Sequence, residues 1–334
     1  MQRMAVLGGG AWGTALAVHL ARPDREVALW ARDEGLVAEM AATGENRAYL
    51  PGVEMPATLR STADLDLALR GAACVVSAIP SHGTREVIRK ARPLLAQGAV
   101  VVSATKGLEV ATLLRVSEVM EEELGAGWPI AVRSGPSFAA ELARGAPTAV
   151  SVAGRSDDTV AAVQREFRSR YFRLYGTRDL VGVEIGGAMK NVIAIAAGAV
   201  ESLGLGDNAR SALITRGLAE ISRLAVALGG QRETLAGLSG LGDLVLTCTG
   251  RLSRNRSVGV ELGKGRPLDE ILGEMKAVAE GVRTTRAALA LGGRCGVELP
   301  ITSQMADVLG GRKTPRDAVE ELMLRRQRSE VEAG

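Results

Sequence analysis

A chain of 334 residues is long enough for two domains with sizeable cores, and at 46% hydrophobic with few aromatics its composition is that of an ordinary globular protein. Its formal charge of +3, with 41 basic residues interspersed among 38 acidic ones, excludes the concentrated positive field of a nucleic-acid groove or a membrane-binding surface. Cys74, Cys248 and Cys295 are scattered, without a CxxC or a nearby histidine, which excludes a disulfide framework and offers no metal site.

The chain opens as a strand, without the pattern of a signal peptide, and no apolar run reads as a membrane span, so a soluble cytoplasmic protein is expected. The apolar run Met4–Leu7 leads into Gly8-Gly-Gly-Ala-Trp-Gly13, a GxGxxG on Gly8, Gly10 and Gly13 that opens a helix. Gly8 permits the tight turn, Gly10 lets the backbone approach a pyrophosphate, and Gly13 lets helix pack on strand. A second strand, Glu26–Trp30, follows at the right distance and completes the dinucleotide-binding pattern. Beyond its tip come Arg32 and then Asp33. An acid there favours the ribose hydroxyls of NAD and an arginine the 2′-phosphate of NADP, so NADP is the preferred reading and NAD stays open.

Strands and helices then alternate. Cys74–Ile79 reads as a buried strand ending in Pro80-Ser-His-Gly83, with a helix to about Leu95. Ala99–Ala104 is a strand ending in Thr105-Lys106-Gly107, and a helix is predicted over Glu109–Leu124. Ile130–Ser134 leads to Gly135-Pro-Ser-Phe-Ala139, and strands Ala149–Val152 and Phe172–Gly176 finish the sheet. This is the rhythm of a doubly wound α/β sheet of Rossmann type over residues 1–180, with ligands expected outside the carboxyl ends of the strands. The Pro80–Gly83 loop, Lys106 and the Gly135–Ala139 loop all fall at that edge.

Residues 181–334 read as an all-helical domain. Its centre is Lys190, inside the apolar run Val183–Gly198, whose own stripe (Val183, Gly186, Gly187, Ala194, Ala197) is mostly small. Such flanks give a lysine no polar face to snorkel along, and a desolvated lysine with a depressed pKa suits proton transfer near neutrality. A long helix over Ala209–Gly229 is equally suited to a core or to a homodimer interface. The Gly-rich Gly237–Gly242 feeds a helix near Asp243, and Ser253-Arg-Asn255 is predicted in a polar turn before Gly259–Gly263. Further helices are expected around Leu268–Met275, Thr284–Gly292, Ser303–Leu309 and Asp317–Leu324. Capping and turn chemistry account for Asp243, Ser253 and Asn255 taken singly. Taken together, Lys106, Lys190, Asp243, Arg254 and Asn255 make a set able to converge on one small anion.

Gly8–Gly13, Ala104–Glu109, Ser134–Ala139, Gly186–Val192, Asn208–Leu218, Gly240–Leu244, Thr247–Thr249, Ser253–Asn255 and Val278–Gly281, in this order and on both halves, resemble the bacterial NAD(P)-dependent glycerol-3-phosphate dehydrogenases. That resemblance implies Lys190 as general acid/base at the substrate C2 oxygen, and Lys106 in contact with substrate and cofactor. It implies Gly135, Ser137, Asp243 and Ser253 lining the substrate, and Arg254 and Asn255 on its phosphate, with Arg254 also reaching the cofactor. It further implies cofactor contacts from Ala11, Trp12, Arg32, Ala139, Val278 and Glu280, a small-molecule substrate, no metal, and a product that feeds phospholipid synthesis. Competing readings are a β-hydroxyacid dehydrogenase acting on a carboxylate, a histidine-based dehydrogenase using His82, and a non-catalytic dinucleotide-binding protein.

Overall fold

The computed structural model describes residues 2–275, 279–327 and 329. Among them the strands are β1 (Gln2–Leu7), β2 (Arg25–Trp30), β3 (Leu59–Thr62), β4 (Cys74–Ser77), β5 (Val100–Ser103), β6 (Ile130–Ser134), β7 (Thr148–Gly154) and β8 (Phe172–Thr177). The helices between and around them are α1 (Ala11–Leu20), α2 (Glu34–Thr43), α3 (Leu65–Leu69), α4 (Ser81–Ala91), α5 (Val116–Leu124), α6 (Ala139–Ala143) and α7 (Asp157–Phe167). The remainder is helical: α8 (Leu180–Ser202), α9 (Gly206–Ala227), α10 (Arg232–Ala236), α11 (Asp243–Thr249), α12 (Arg254–Gly263), α13 (Leu268–Glu274), α14 (Glu280–Cys295), α15 (Pro300–Leu309) and α16 (Pro315–Met323).

The sheet runs β3-β2-β1-β4-β5-β6-β7-β8, parallel throughout except for the antiparallel β6–β7 pair. The chain winds outward from β1 to β3 and then returns to β4 on the other side, which places the switch point between β1 and β4. β4 and β6 are buried along their whole length because helices cover both faces of the sheet. Alternate residues of β1 divide between two cores: Met4 and Val6 pack with Leu16 of α1, whereas Ala5 and Leu7 pack with Leu69 and Val75.

The helical part is wrapped around α8, whose residues Gly182 through Val200 are all buried. This helix has the length and mean hydropathy (1.5) of a membrane span, but it is interrupted by Glu184 and Lys190 and 94% of that window is buried inside the protein. Helices α9, α11, α12 and α14 pack on it. Its crossing with α12 is backbone against backbone: a Cβ on Gly259 would lie 1.8 Å from the Ile195 carbonyl oxygen, and one on Gly198 2.0 Å from that of Arg256. Helix α9 is buried on one side of its second half (Gly217, Ile221, Leu224, Ala225), while its first half is half-buried or exposed.

Two predicted elements change. The helix expected over Glu109–Leu124 begins only at Val116, because Leu108 pairs with Arg115 as a β-bridge and Leu113 turns at φ +64°. Ser253–Asn255 is not a turn: the Ser253 hydroxyl accepts from the Arg256 N–H at 3.2 Å, which caps α12 and places Arg254 and Asn255 in its first turn. Helices α2, α3, α6, α7 and α10 and strand β3 are additional. Two of these bury almost nothing, Met40 alone on α2 and Leu59 alone on β3, so periodicity carried little signal.

Candidate active site

At the switch point the first loop has the shape a dinucleotide needs. Gly8 sits at φ +119°, and a Cβ on Gly13 would lie 1.9 Å from the Gly8 carbonyl oxygen, so neither tolerates a side chain. Gly10 is the N-cap of α1, and a Cβ there would meet nothing within 4 Å. The first N–H groups of α1, from Ala11 and Trp12 onward, therefore open onto free space with the positive end of the helix dipole behind them. A diphosphate fits this cradle. Sequence reading missed the residue that braces it: the buried Asn46 donates to the Gly9 carbonyl (2.9 Å) and Thr14 Oγ1 (2.7 Å), and accepts from the Tyr49 N–H (3.2 Å). A single asparagine in a loop carries no sequence signal beyond turn chemistry. Arg32 is exposed beyond the tip of β2 and has no side-chain partner among the described residues. Asp33 caps α2 instead, accepting from the Leu36 N–H at 3.0 Å.

Farther along the same sheet edge, a carboxylate joins the two halves of the chain. Asp243 is fully buried at the start of α11. Its Oδ1 accepts from Lys190 Nζ of α8, and its Oδ2 accepts from Lys106 Nζ of the loop after β5 at 2.6 Å. The Gly135 N–H (3.3 Å) and Ser134 Oγ (3.4 Å) after β6 also donate to Oδ2. Lys190 donates further to Thr247 Oγ1 at 2.7 Å, one turn along α11, and Lys106 to the Gly135 carbonyl at 3.0 Å. Ser137 Oγ donates to the Gly135 carbonyl (3.0 Å) and accepts from Arg133 Nη2 (3.1 Å). The small stripe of α8 makes the convergence possible: a Cβ on Gly187 would lie 2.4 Å from Ser134 Oγ and 3.5 Å from Lys106 Cγ.

The centre holds two ammoniums against one carboxylate. Burial alone would raise the Asp243 carboxyl, but Lys106 and Lys190 outweigh it and hold the group below its ordinary value. Burial drives the Lys106 ammonium down to about 7 despite its bond to Asp243, with Lys190 and Arg133 adding repulsion. Lys106, on the strand-end loop, thus titrates near neutrality.

The other predicted residues lie around this network. Ser253, Arg254 and Asn255 open α12, and no hydrogen bond ties them to the lysine–aspartate centre. Asn255 Oδ1 accepts from the Gly281 N–H at 3.0 Å, which binds α12 to the start of α14. The Arg254 guanidinium feels the Glu280 carboxylate but has no hydrogen-bond or ion-pair partner among the described residues. Glu280, first in α14, accepts from Ser81 Oγ (2.9 Å) and the Ser81 N–H (3.3 Å) at the start of α4, joining the helical half to the sheet edge. Burial raises the Glu280 carboxyl. Ala139 opens α6, which packs on α1. Val278 lies outside the described residues. His82 is exposed in the first turn of α4. His19 is buried beside the Phe167 carbonyl (2.7 Å) and the Tyr171 hydroxyl (3.1 Å), and burial lowers it to about 4, so it serves packing.

Comparison with known proteins places both halves of the chain in one family. Residues 3–160 match the family model described as the NAD-dependent glycerol-3-phosphate dehydrogenase N-terminus, and residues 179–320 match that of its C-terminus. The chain is 52% identical over 331 residues to "Glycerol-3-phosphate dehydrogenase [NAD(P)+]" of Geobacter sp. (strain M21), covering 98% of this chain and 99% of the relative. It is 52% identical over 335 residues to the protein of the same description in Koribacter versatilis (strain Ellin345), covering 99% of each. Among solved structures it superposes on glycerol-3-phosphate dehydrogenase from Coxiella burnetii with a TM-score of 0.93 at 42% identity, covering 97% of this chain and 99% of that one.

Proposed function

The chain belongs to the NAD-dependent glycerol-3-phosphate dehydrogenase family, and on that premise we propose that it interconverts dihydroxyacetone phosphate and sn-glycerol 3-phosphate with Lys190 as general acid and base. The observation that carries this reading is the buried Lys190–Asp243–Lys106 centre, built from both halves along the sheet edge that also bears the open α1 cradle. When bound, the nicotinamide dinucleotide supplies or accepts the hydride at substrate C2. Lys190 Nζ gives the C2 oxygen its proton in reduction and removes it in oxidation, while Asp243 and Thr247 fix the direction of the amine. Lys106 sets positive charge beside the developing alkoxide and is held in place by Asp243 and Gly135. Gly135, Ser137, Asp243 and Ser253 shape the pocket.

Arg254 and Asn255 take the phosphate, for which the planar fork of a guanidinium is suited. The excess of one positive charge in the centre favours the same dianion. Gly8, Gly10, Gly13, Ala11, Trp12, Arg32, Lys106, Ala139, Arg254, Val278 and Glu280 hold the dinucleotide. NADP is the preferred coenzyme, because Asp33 is committed to capping α2 while Arg32 stands free. The protein acts in solution in the cytoplasm and its product supplies phospholipid synthesis.

The test is a substrate panel with NADPH: dihydroxyacetone phosphate, phosphate-free dihydroxyacetone and a 2-keto carboxylate of similar size. The phosphorylated ketone should lead in kcat/KM by about 10³-fold or more, because the site's polar groups are left unpaired by the others. Equal or faster turnover of the carboxylate would move the assignment to the carboxylate-specific dehydrogenases.

A further inference from the structure

Three cationic or protonatable side chains meet at the mouth of the crevice, none of them hydrogen-bonded or ion-paired to a carboxylate among the described residues. Leu7 of β1 pairs with Trp30 on one side and Ser77 on the other, so the segments leaving β1, β2 and β4 start at one level. Arg32 lies just past Trp30, and His82 lies in the first turn of α4, shortly after Ser77. The bond between Ser81 Oγ and Glu280 (2.9 Å) lays the first turn of α14 on the first turn of α4. Arg283 is one turn along α14 from Glu280 and therefore on the same face. Burial lowers the His82 pKa first, and the Arg283 and Arg32 charges lower it further, so both guanidiniums lie within electrostatic range of the imidazole.

All three side chains are exposed, and none has a hydrogen-bond or ion-pair partner among the described residues. The carboxylates within reach are committed elsewhere: Asp33 caps α2, Glu280 serves Ser81, and Glu86, which feels Arg32, is bonded to Lys90 at 2.7 Å. Glu280 feels Arg283 and Glu86 feels Arg32, but neither carboxylate is bonded to its guanidinium, so the like charges still repel and a bound anion offsets that cost.

We propose that Arg283, from the helical half, joins Arg32 in binding the 2′-phosphate of NADP(H), with His82 as a third hydrogen-bonding group. This rests on the NADP reading of Arg32 and extends it across the crevice. The adenosine ribose of a bound dinucleotide lies at the end of β2, beside Arg32, and a phosphomonoester dianion there presents several oxygens to two planar forks. The 2′-phosphate then ties β2 to α14, in parallel with the Ser81–Glu280 bond. NADH, lacking that phosphate, leaves the starts of α4 and α14 joined by the Ser81–Glu280 bond without that second tie.

The experiment compares NADPH with NADH, and adenosine 2′,5′-bisphosphate with AMP as competitors, for wild type, Arg283→Gln, Arg283→Lys and Arg32→Gln. Arg283→Gln should raise the ratio of KM for NADPH to KM for NADH about tenfold, and weaken the bisphosphate relative to AMP by a similar factor. Arg283→Lys, which keeps the charge, should fall between wild type and Arg283→Gln. If Arg32→Gln shifts both ratios and Arg283→Gln shifts neither, the part assigned to Arg283 is wrong while the reading of Arg32 stands. If wild type itself distinguishes neither pair, the NADP reading fails and this proposal fails with it.

Discussion

Asp243 decides the chemistry available at the centre of the site. A carboxylate in full burial is stable only when paired, and here it is paired twice, with the two lysines proposed to serve the reaction. Its ionisation is secured by them, whereas Lys106 is left titrating at about 7. The sign follows from the role proposed for Lys106: its ammonium would supply charge to the alkoxide, and raising the pH through 7 removes that charge. The kcat/KM for dihydroxyacetone phosphate reduction should therefore fall as pH rises through about 7. Lys106→Arg, whose side chain stays charged, should flatten that limb even if its maximum is lower. A wild-type profile level from weakly acid to weakly alkaline pH would contradict the role given to Lys106. Lys190 was legible from sequence as a charge in an apolar helix. Asp243 was named beside it as a site residue, but their ion pair was not readable, because Asp243 is 53 residues away and only the packing of α11 on α8 brings them together. Thr247 and Asn46 were missed for the same reason: a hydroxyl or an amide shows its purpose only through its partner.

At the scale of elements, the core strands were readable because burial on both faces demands continuous Val, Ile and Ala runs. The surface elements were not, since α2 and β3 owe their form to a cap and to strand pairing rather than to an apolar stripe. The start of α12 was misread because Ser-Arg-Asn suits a turn as well as a cap, and only the bond from the Arg256 N–H to Ser253 distinguishes them. That helix carries the proposed phosphate residues and meets α8 without an intervening side chain. Gly259→Ala would place a Cβ 1.8 Å from the Ile195 carbonyl, a backbone group that cannot rotate away. The helices must separate, at a cost of about 1–3 kcal/mol or more. Thermal denaturation should show a melting point lower by several degrees, at roughly 1–2 °C per kcal/mol for a chain of this size. The KM for dihydroxyacetone phosphate should rise more than that for NADPH. An unchanged melting point would mean that α8 and α12 are not in backbone contact.

At the scale of the whole molecule, the site belongs to neither half. The glycine cradle, Lys106 and the Gly135–Ala139 loop come from the sheet, while Lys190, Asp243 and the start of α12 come from the helices. Carboxylates bind one half to the other: Asp243 to Lys106, Glu280 to Ser81, and the buried Glu184 to Arg115 and Ser117. The broad division into a doubly wound sheet followed by helices was visible as a change of periodicity near residue 180. The way the halves meet was not, because hydrogen bonds such as Ser81–Glu280 span 199 positions and leave no local pattern. On the proposed mechanism the dinucleotide is held on the sheet side and the proton is handled on the helical side, so the two can be separated by one substitution. The most direct measurement is single-turnover oxidation of NADPH by dihydroxyacetone phosphate for wild type and Lys190→Ala, with NADPH affinity measured on both proteins. The variant should bind NADPH within a few-fold of wild type and turn over about 10² to 10⁴ times more slowly. A variant that retains the wild-type rate would contradict the account, making Lys190 a packing residue and leaving the proton to another group.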